Sequence, residues 1–218
     1  EPDQLEAVDN KVRVKGQPDK SLTMGEVAMK GLYETHEFVV GTSTYGRPKA
    51  IPDPETGACD PLATVAWAAV EVEVEVDTET GEVSIIDSKS VYDVGKAINP
   101  EMARSQVEGG AIMGMSWAIL ENLYPSYPNP QHQPRDFSQY SLITAMDTPT
   151  METEMVECPS TEGPYGAKGI GEMTANPPGP AVVSAVHDAI GVWITDIPIT
   201  PEKVLRALEA KEQAAAGA

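Results

Sequence analysis

The stretch best equipped for chemistry is Gly163-Pro164-Tyr165-Gly166-Ala167-Lys168-Gly169-Ile170-Gly171-Glu172. Four glycines and a proline in ten residues exclude a stable helix or a central strand, because each glycine costs about 1 kcal/mol of helix stability. Without β-carbons in the way, the backbone N–H groups of such a loop can approach a bulky or anionic group closely. The loop ends on a single carboxylate, Glu172, and a base beside an anion cradle suits proton transfer next to a cofactor. A plain surface turn ending in Glu has the same composition, so these residues alone leave both readings open. The chain holds no Ser/His/Asp or Cys/His set, no Walker loop and no dinucleotide fingerprint before a helix. One carboxylate on a glycine loop oxidises or hydrolyses nothing unaided, and an external cofactor is required.

A second stretch narrows the choice. Asp93-Val94-Gly95-Lys96-Ala97-Ile98-Asn99-Pro100 leads into Arg104-Ser105-Gln106-Val107-Glu108-Gly109-Gly110-Ala111, then Gly114 and Leu120-Glu121. Over roughly residues 60–210, the two stretches together resemble the C-terminal portion of the molybdenum-binding subunit of the xanthine oxidase family of molybdenum hydroxylases. That family carries D-x-G-x-x-x-N-P before a G-Q-x-x-G-G helix start, and G-A-x-G-x-G-E further on. Ser105 stands where the family usually has Gly, with Gln106 in place.

The resemblance implies an α+β fold of mixed β-sheets with packed helices, part of a molybdopterin-binding domain. It implies a molybdenum ion held by a pterin, with or without an attached nucleotide, and no direct protein ligand to the metal. Glu172 is implied as the catalytic base, and Gln106, Lys168, Gly169, Ile170 and Gly171 as cofactor contacts, the last four through their backbone. The implied reaction is hydroxylation of an aromatic N-heterocycle of purine type, or of an aldehyde-type carbon, with water as oxygen source. FAD and [2Fe-2S] centres are expected on partner subunits of a cytoplasmic complex, together with the remaining part of the molybdenum subunit. The glycine-rich earlier motifs of such a subunit are absent here, so activity is expected only with partner chains, and the face meeting the rest should be exposed. The competing reading is a non-catalytic structural partner that retains the fold without the chemistry.

Composition agrees with this class. The 218 residues suffice for one large domain or two small ones, and 19 prolines with 18 glycines indicate many loops. The net charge of −19 argues against nucleic acid and anionic membranes, whose binding draws on Lys and Arg clusters. Cys59 and Cys158 form no C-x-x-C pair, which excludes an iron–sulfur cluster held by this chain alone and points to a reducing compartment. His36, His132 and His187 have no zinc spacing. No apolar run approaches the roughly 18 residues of a membrane span.

The elements that must position these residues follow from pattern. A segment spanning 1–60 is expected to hold a strand at 9–16, a helix from the Thr23/Glu26 capping-box spacing to about Leu32, a brief strand at 38–40 and a Pro/Gly-rich excursion at 41–61. The second segment, 61–218, opens with Val70, Val72, Val74 and Val76 alternating with Glu71, Glu73 and Glu75: one strand of a hairpin, its partner running from Glu82 to Tyr92. The glutamates read as a solvated strand face rather than a metal site. Asn99 as N-cap and Pro100 at the first turn predict a helix to about Asn122, despite Gly109, Gly110 and Gly114 inside it. Either tight packing or close approach of a cofactor must compensate for those glycines. Further strands are expected at 139–145, 155–158 and 192–194, and helices at 181–190, stopped by Gly191, and from Thr200 into a frayed tail. Within the first of these helices, His187 is expected to pack.

Overall fold

The computed structural model describes residues 2–36, 38, 40–44, 51–59, 62, 64–122 and 136–217. Two compact units emerge, residues 1–51 and 52–218.

In the first unit, β1 (Leu5–Val8), β2 (Lys11–Val14) and β3 (Gln17–Thr23) form an antiparallel meander. Asp9 and Asn10 take positive φ of 51° and 58°, the backbone a two-residue hairpin requires. The strand expected at 9–16 is therefore shorter, and two strands with little apolar alternation flank it. Helix α1 (Met24–Lys30) starts on the expected capping box: the Glu26 N–H donates to Thr23 Oγ1, and the Thr23 N–H to the Glu26 carboxylate. A π turn, Gly31–Thr35, continues it to His36. Phe38 and Val40 lie in no strand, and Val39 is outside the described residues.

The second unit is built on a mixed three-stranded sheet in the order β4-β5-β6. Strands β4 (Ala68–Val76) and β5 (Val83–Asp93) make the expected hairpin, and β6 (Thr150–Val156) runs parallel to β5 on its other edge. Glu71, Glu73 and Glu75 face out, while the valines of β4 are half-buried under helices α2 (Pro100–Ile119) and α3 (Pro178–Ile190). Ile85, Met115, Val182, Val186, Ile190 and Val204 form the main core, the last from helix α4 (Pro201–Ala216). Asn99 caps α2 by accepting the Met102 N–H, with Pro100 at the first turn as expected.

Three expected strands differ. Residues 139–145 form no strand; at their end the Thr144 N–H and hydroxyl bond to Asp147 and close a turn at 145–147. Residues 192–194 find no partner strand; Ile194 enters the core and the Trp193 ring stacks on His187 at 3.9 Å, giving that histidine its packing role. The strand expected at 155–158 begins five residues earlier, at Thr150. Helix α3 likewise starts at Pro178 and ends at Gly191, whose φ of 71° suits a glycine cap. The tail expected to fray is helical through Ala216. Along α2 the apolar residues Met102, Met113 and Trp117 are exposed. No helix among the described residues is long and apolar enough to cross a membrane.

Candidate functional site

Strand β5 delivers the chain to Asp93, and the segment between it and α2 meets the glycine loop. Gly95 bridges Ala167; the Lys96 N–H donates to Gly166 O at 2.9 Å and the Lys168 N–H to Val94 O at 3.1 Å. This approach needs glycine: at Gly95, φ is +67° and a β-carbon would lie 2.4 Å from Gly166 O. Glu157, just past β6, accepts from Lys96 Nζ at 2.6 Å and from the Ala97 N–H at 3.0 Å. The two motifs recognised in the sequence are thus stitched side by side.

Between them opens a cleft of about 470 Å³, lined by Ile98, Met102, Gln106, Lys168, Ile170 and Gly171 among others. Gln106 is exposed on the α2 wall, and its amide has no partner among the described residues. The N–H groups of Gly169, Ile170 and Gly171 likewise meet no acceptor there. A β-carbon on Gly169 or Gly171 would meet nothing within 4 Å, so packing within the chain does not explain these two glycines.

Lys168 lines the cleft, whereas Gly169 is not part of its lining; the Lys168 N–H is used by Val94 O, and its ammonium points inward to Asp93 Oδ2 at 2.5 Å and Val65 O at 2.9 Å. Burial works to raise the Asp93 pKa, but the bonds from Lys168 and the Gly95 N–H outweigh it and hold the carboxyl below its usual range.

Glu172 opens a 3₁₀ turn, Glu172–Thr174. Beneath it the turn is fixed: the Tyr92 hydroxyl donates to Thr174 O at 3.0 Å and Thr174 Oγ1 donates to Gly171 O at 2.7 Å. Tyr92 is fully buried, and burial pushes its phenol up to about 12. Helix α2 presses against the same turn through Gly110 and Gly114; a β-carbon on the latter would lie 2.2 Å from Ala175 O. Those two glycines therefore serve close backbone packing, whereas a β-carbon on Gly109 would meet nothing. Above the turn, the Glu172 side chain is exposed and unpartnered among the described residues. Tyr92 and Thr174 carried no signal in the sequence; only the fold brings them under Glu172.

Backbone donors unused among the described residues, an exposed amide and uncovered glycines fit a large polar cofactor. The α+β unit with this cleft defines a cofactor-binding domain.

The family model of the molybdopterin cofactor-binding domain matches residues 1–149, and the chain belongs to that family, within the xanthine oxidase type of molybdenum hydroxylases. The chain is 33% identical over 191 residues to a probable xanthine dehydrogenase subunit of Bacillus subtilis strain 168, covering 87% of this chain and 24% of that one. It is 33% identical over 193 residues to the probable hypoxanthine oxidase of Escherichia coli K12, covering 86% and 18%. Among solved structures, quinoline 2-oxidoreductase from Pseudomonas putida 86 superposes with a TM-score of 0.75 at 26% identity, over 96% of this chain and 26% of that one. The chain therefore spans about a quarter or less of the length of these proteins. The family match takes in the first unit, which the motifs gave no reason to include, and stops before the Glu172 loop. The alignments to the two relatives are long enough to run through that loop.

Proposed function

We propose that the chain is part of a molybdenum hydroxylase that oxidises an aromatic N-heterocycle of purine type, or an aldehyde-type carbon, with Glu172 as general base. The observation that carries this reading is the cleft lined by Gln106, Ile170 and Gly171, where the N–H groups of Ile170 and Gly171 meet no acceptor among the described residues and the next residue is the exposed Glu172. The names of the relatives, xanthine dehydrogenase and hypoxanthine oxidase, support the N-heterocycle side of that choice.

Gln106 would hold the pterin, since its amide both donates and accepts; the N–H groups of Ile170 and Gly171, with that of Gly169 beside them, would donate to the cofactor's oxygens. When bound, the molybdenum cofactor supplies the two-electron oxidant and activates the water that becomes the product's oxygen. A Glu172 carboxylate oxygen takes that water's proton as the electron-poor carbon is attacked. An amide in its place has no comparable basicity. Tyr92, Thr174 and Gly110 hold the turn from below, so the backbone that carries Glu172 is held in place. The exposed apolar residues on α2 support burial against the remaining part of the molybdenum subunit. FAD-binding and iron–sulfur subunits would carry the electrons away. The two unpaired, exposed cysteines support a reducing, cytoplasmic setting.

The test is the molybdenum and pterin content of the purified holoenzyme carrying Gly171→Val, at the glycine that lines the cleft. A side chain there would fill the space left for the cofactor, and content should fall to about a tenth or less, since a clash of even a few kcal/mol suffices. Full stoichiometry in this variant would contradict the assignment of the cleft.

A further inference from the structure

Lys168 lies four residues before Glu172, where a cation facing the cleft would be expected to meet an anionic group. Its side chain is instead only 10% exposed, and its ammonium bridges Asp93, 75 residues away in sequence, and Val65 O. The Asp93 side chain is 9% exposed and uses its other oxygen to accept the Gly95 N–H at 3.0 Å. Such a pair is a poor source of stability, because desolvation of both ions offsets their attraction. What it does enforce is a single arrangement, since any other leaves a buried charge unpaired. The rest of the contact is short: a single bridge, made by two backbone bonds, joins residues 94–96 to 166–168. Slipping the loop by one residue would break all of these and strand the ammonium. The other ion pair on this segment, Lys96 with Glu157, is about half exposed and screened by water, so it specifies less.

We infer that Asp93 and Lys168 are a positioning pair. They lock the register of the glycine loop against the end of β5 and so set where the Glu172 carboxylate stands, without touching cofactor or substrate. The inference rests on the reading of Glu172 as base and extends it to two residues behind the site.

The experiment compares Asp93→Asn, Lys168→Met and the double variant in the purified holoenzyme, reading four quantities: melting temperature, amide exchange in a 163–175 peptide, molybdenum content and steady-state kinetics. Asp93→Asn should lower the melting temperature, speed exchange in the 163–175 peptide by about tenfold or more, and cut kcat by a similar factor. KM should stay within about twofold, because neither side chain contacts the substrate; kcat is expressed per bound molybdenum, since the loop the pair positions also lines the cofactor cleft. The double variant removes the lone buried charge, so its melting temperature should recover while exchange stays fast and kcat stays low. Recovery of all three in the double variant would make the pair merely structural and overturn the inference. Unchanged exchange and kcat in both single variants would overturn it too, and Glu172→Gln measured alongside separates the outcomes. If that variant loses turnover, the base assignment survives the failure of the pair. If it keeps turnover, the base assignment fails, while exchange still reports whether the pair sets the register.

Discussion

A β-carbon on Gly110 would stand 1.8 Å from Thr174 Oγ1 and 2.6 Å from Thr174 Cβ. Helix α2 and the turn that begins at Glu172 are therefore as close as a bare backbone permits. Gly110→Ala should push the turn off the helix, costing about 1–3 kcal/mol and displacing Glu172. At the preceding position nothing stands in the way, so Gly109→Ala should stabilise the helix by up to about 1 kcal/mol. Thermal unfolding of the two variants, read side by side, checks this opposition of sign.

Tyr92 supports the same turn from the sheet. Tyr92→Phe leaves the buried Thr174 carbonyl without its donor and should cost about 1–3 kcal/mol near neutral pH. The phenol also predicts an alkaline limb. Its folded pKa is raised from 10.0 to about 12, so the neutral form is favoured in the folded state. That contribution is fully present below pH 10 and is lost as pH rises towards 12. Tyr140, raised to about 12 chiefly by its hydrogen bond to Glu121, acts in the same window. Unfolding free energy measured across pH 9–12 should fall less steeply in Tyr92→Phe, and less steeply again when Tyr140→Phe is added.

Ser88 sits on the buried face of β5, 1% exposed, and its hydroxyl has no partner among the described residues. An unsatisfied buried hydroxyl is a cost with nothing set against it. Ser88→Ala should be neutral or stabilising by about 1 kcal/mol, seen as an unchanged or higher denaturant midpoint with the same slope. A clear loss of stability would show that the hydroxyl is satisfied.

What could be read from the sequence was local. The valine–glutamate alternation of β4, the Asn99–Pro100 start of α2, the Thr23/Glu26 box and the Gly191 stop each carry their cause within a few residues. The bounds of strand β6 are poorly marked in the sequence because Thr150, Glu152 and Glu154 face water while Met151, Thr153 and Met155 face in, a weak contrast. Its partner in the sheet, β5, is also remote in sequence and parallel. The same divide runs through the site. Gln106 and the glycine loop were found by motif, but the direction of the Lys168 ammonium depends on Asp93, and the support under Glu172 depends on Tyr92. Nothing near any of these residues in sequence encodes those contacts.

The central claim is that the Glu172 carboxylate moves a proton at the molybdenum centre. Glu172→Gln keeps the size and shape of the side chain and removes only that capacity. In holoenzyme shown to retain its molybdenum and pterin, kcat should fall by at least about 10²–10⁴-fold, the range a positioned general base supplies. Turnover near the unsubstituted level at full cofactor content would contradict the account and leave the chain a structural partner.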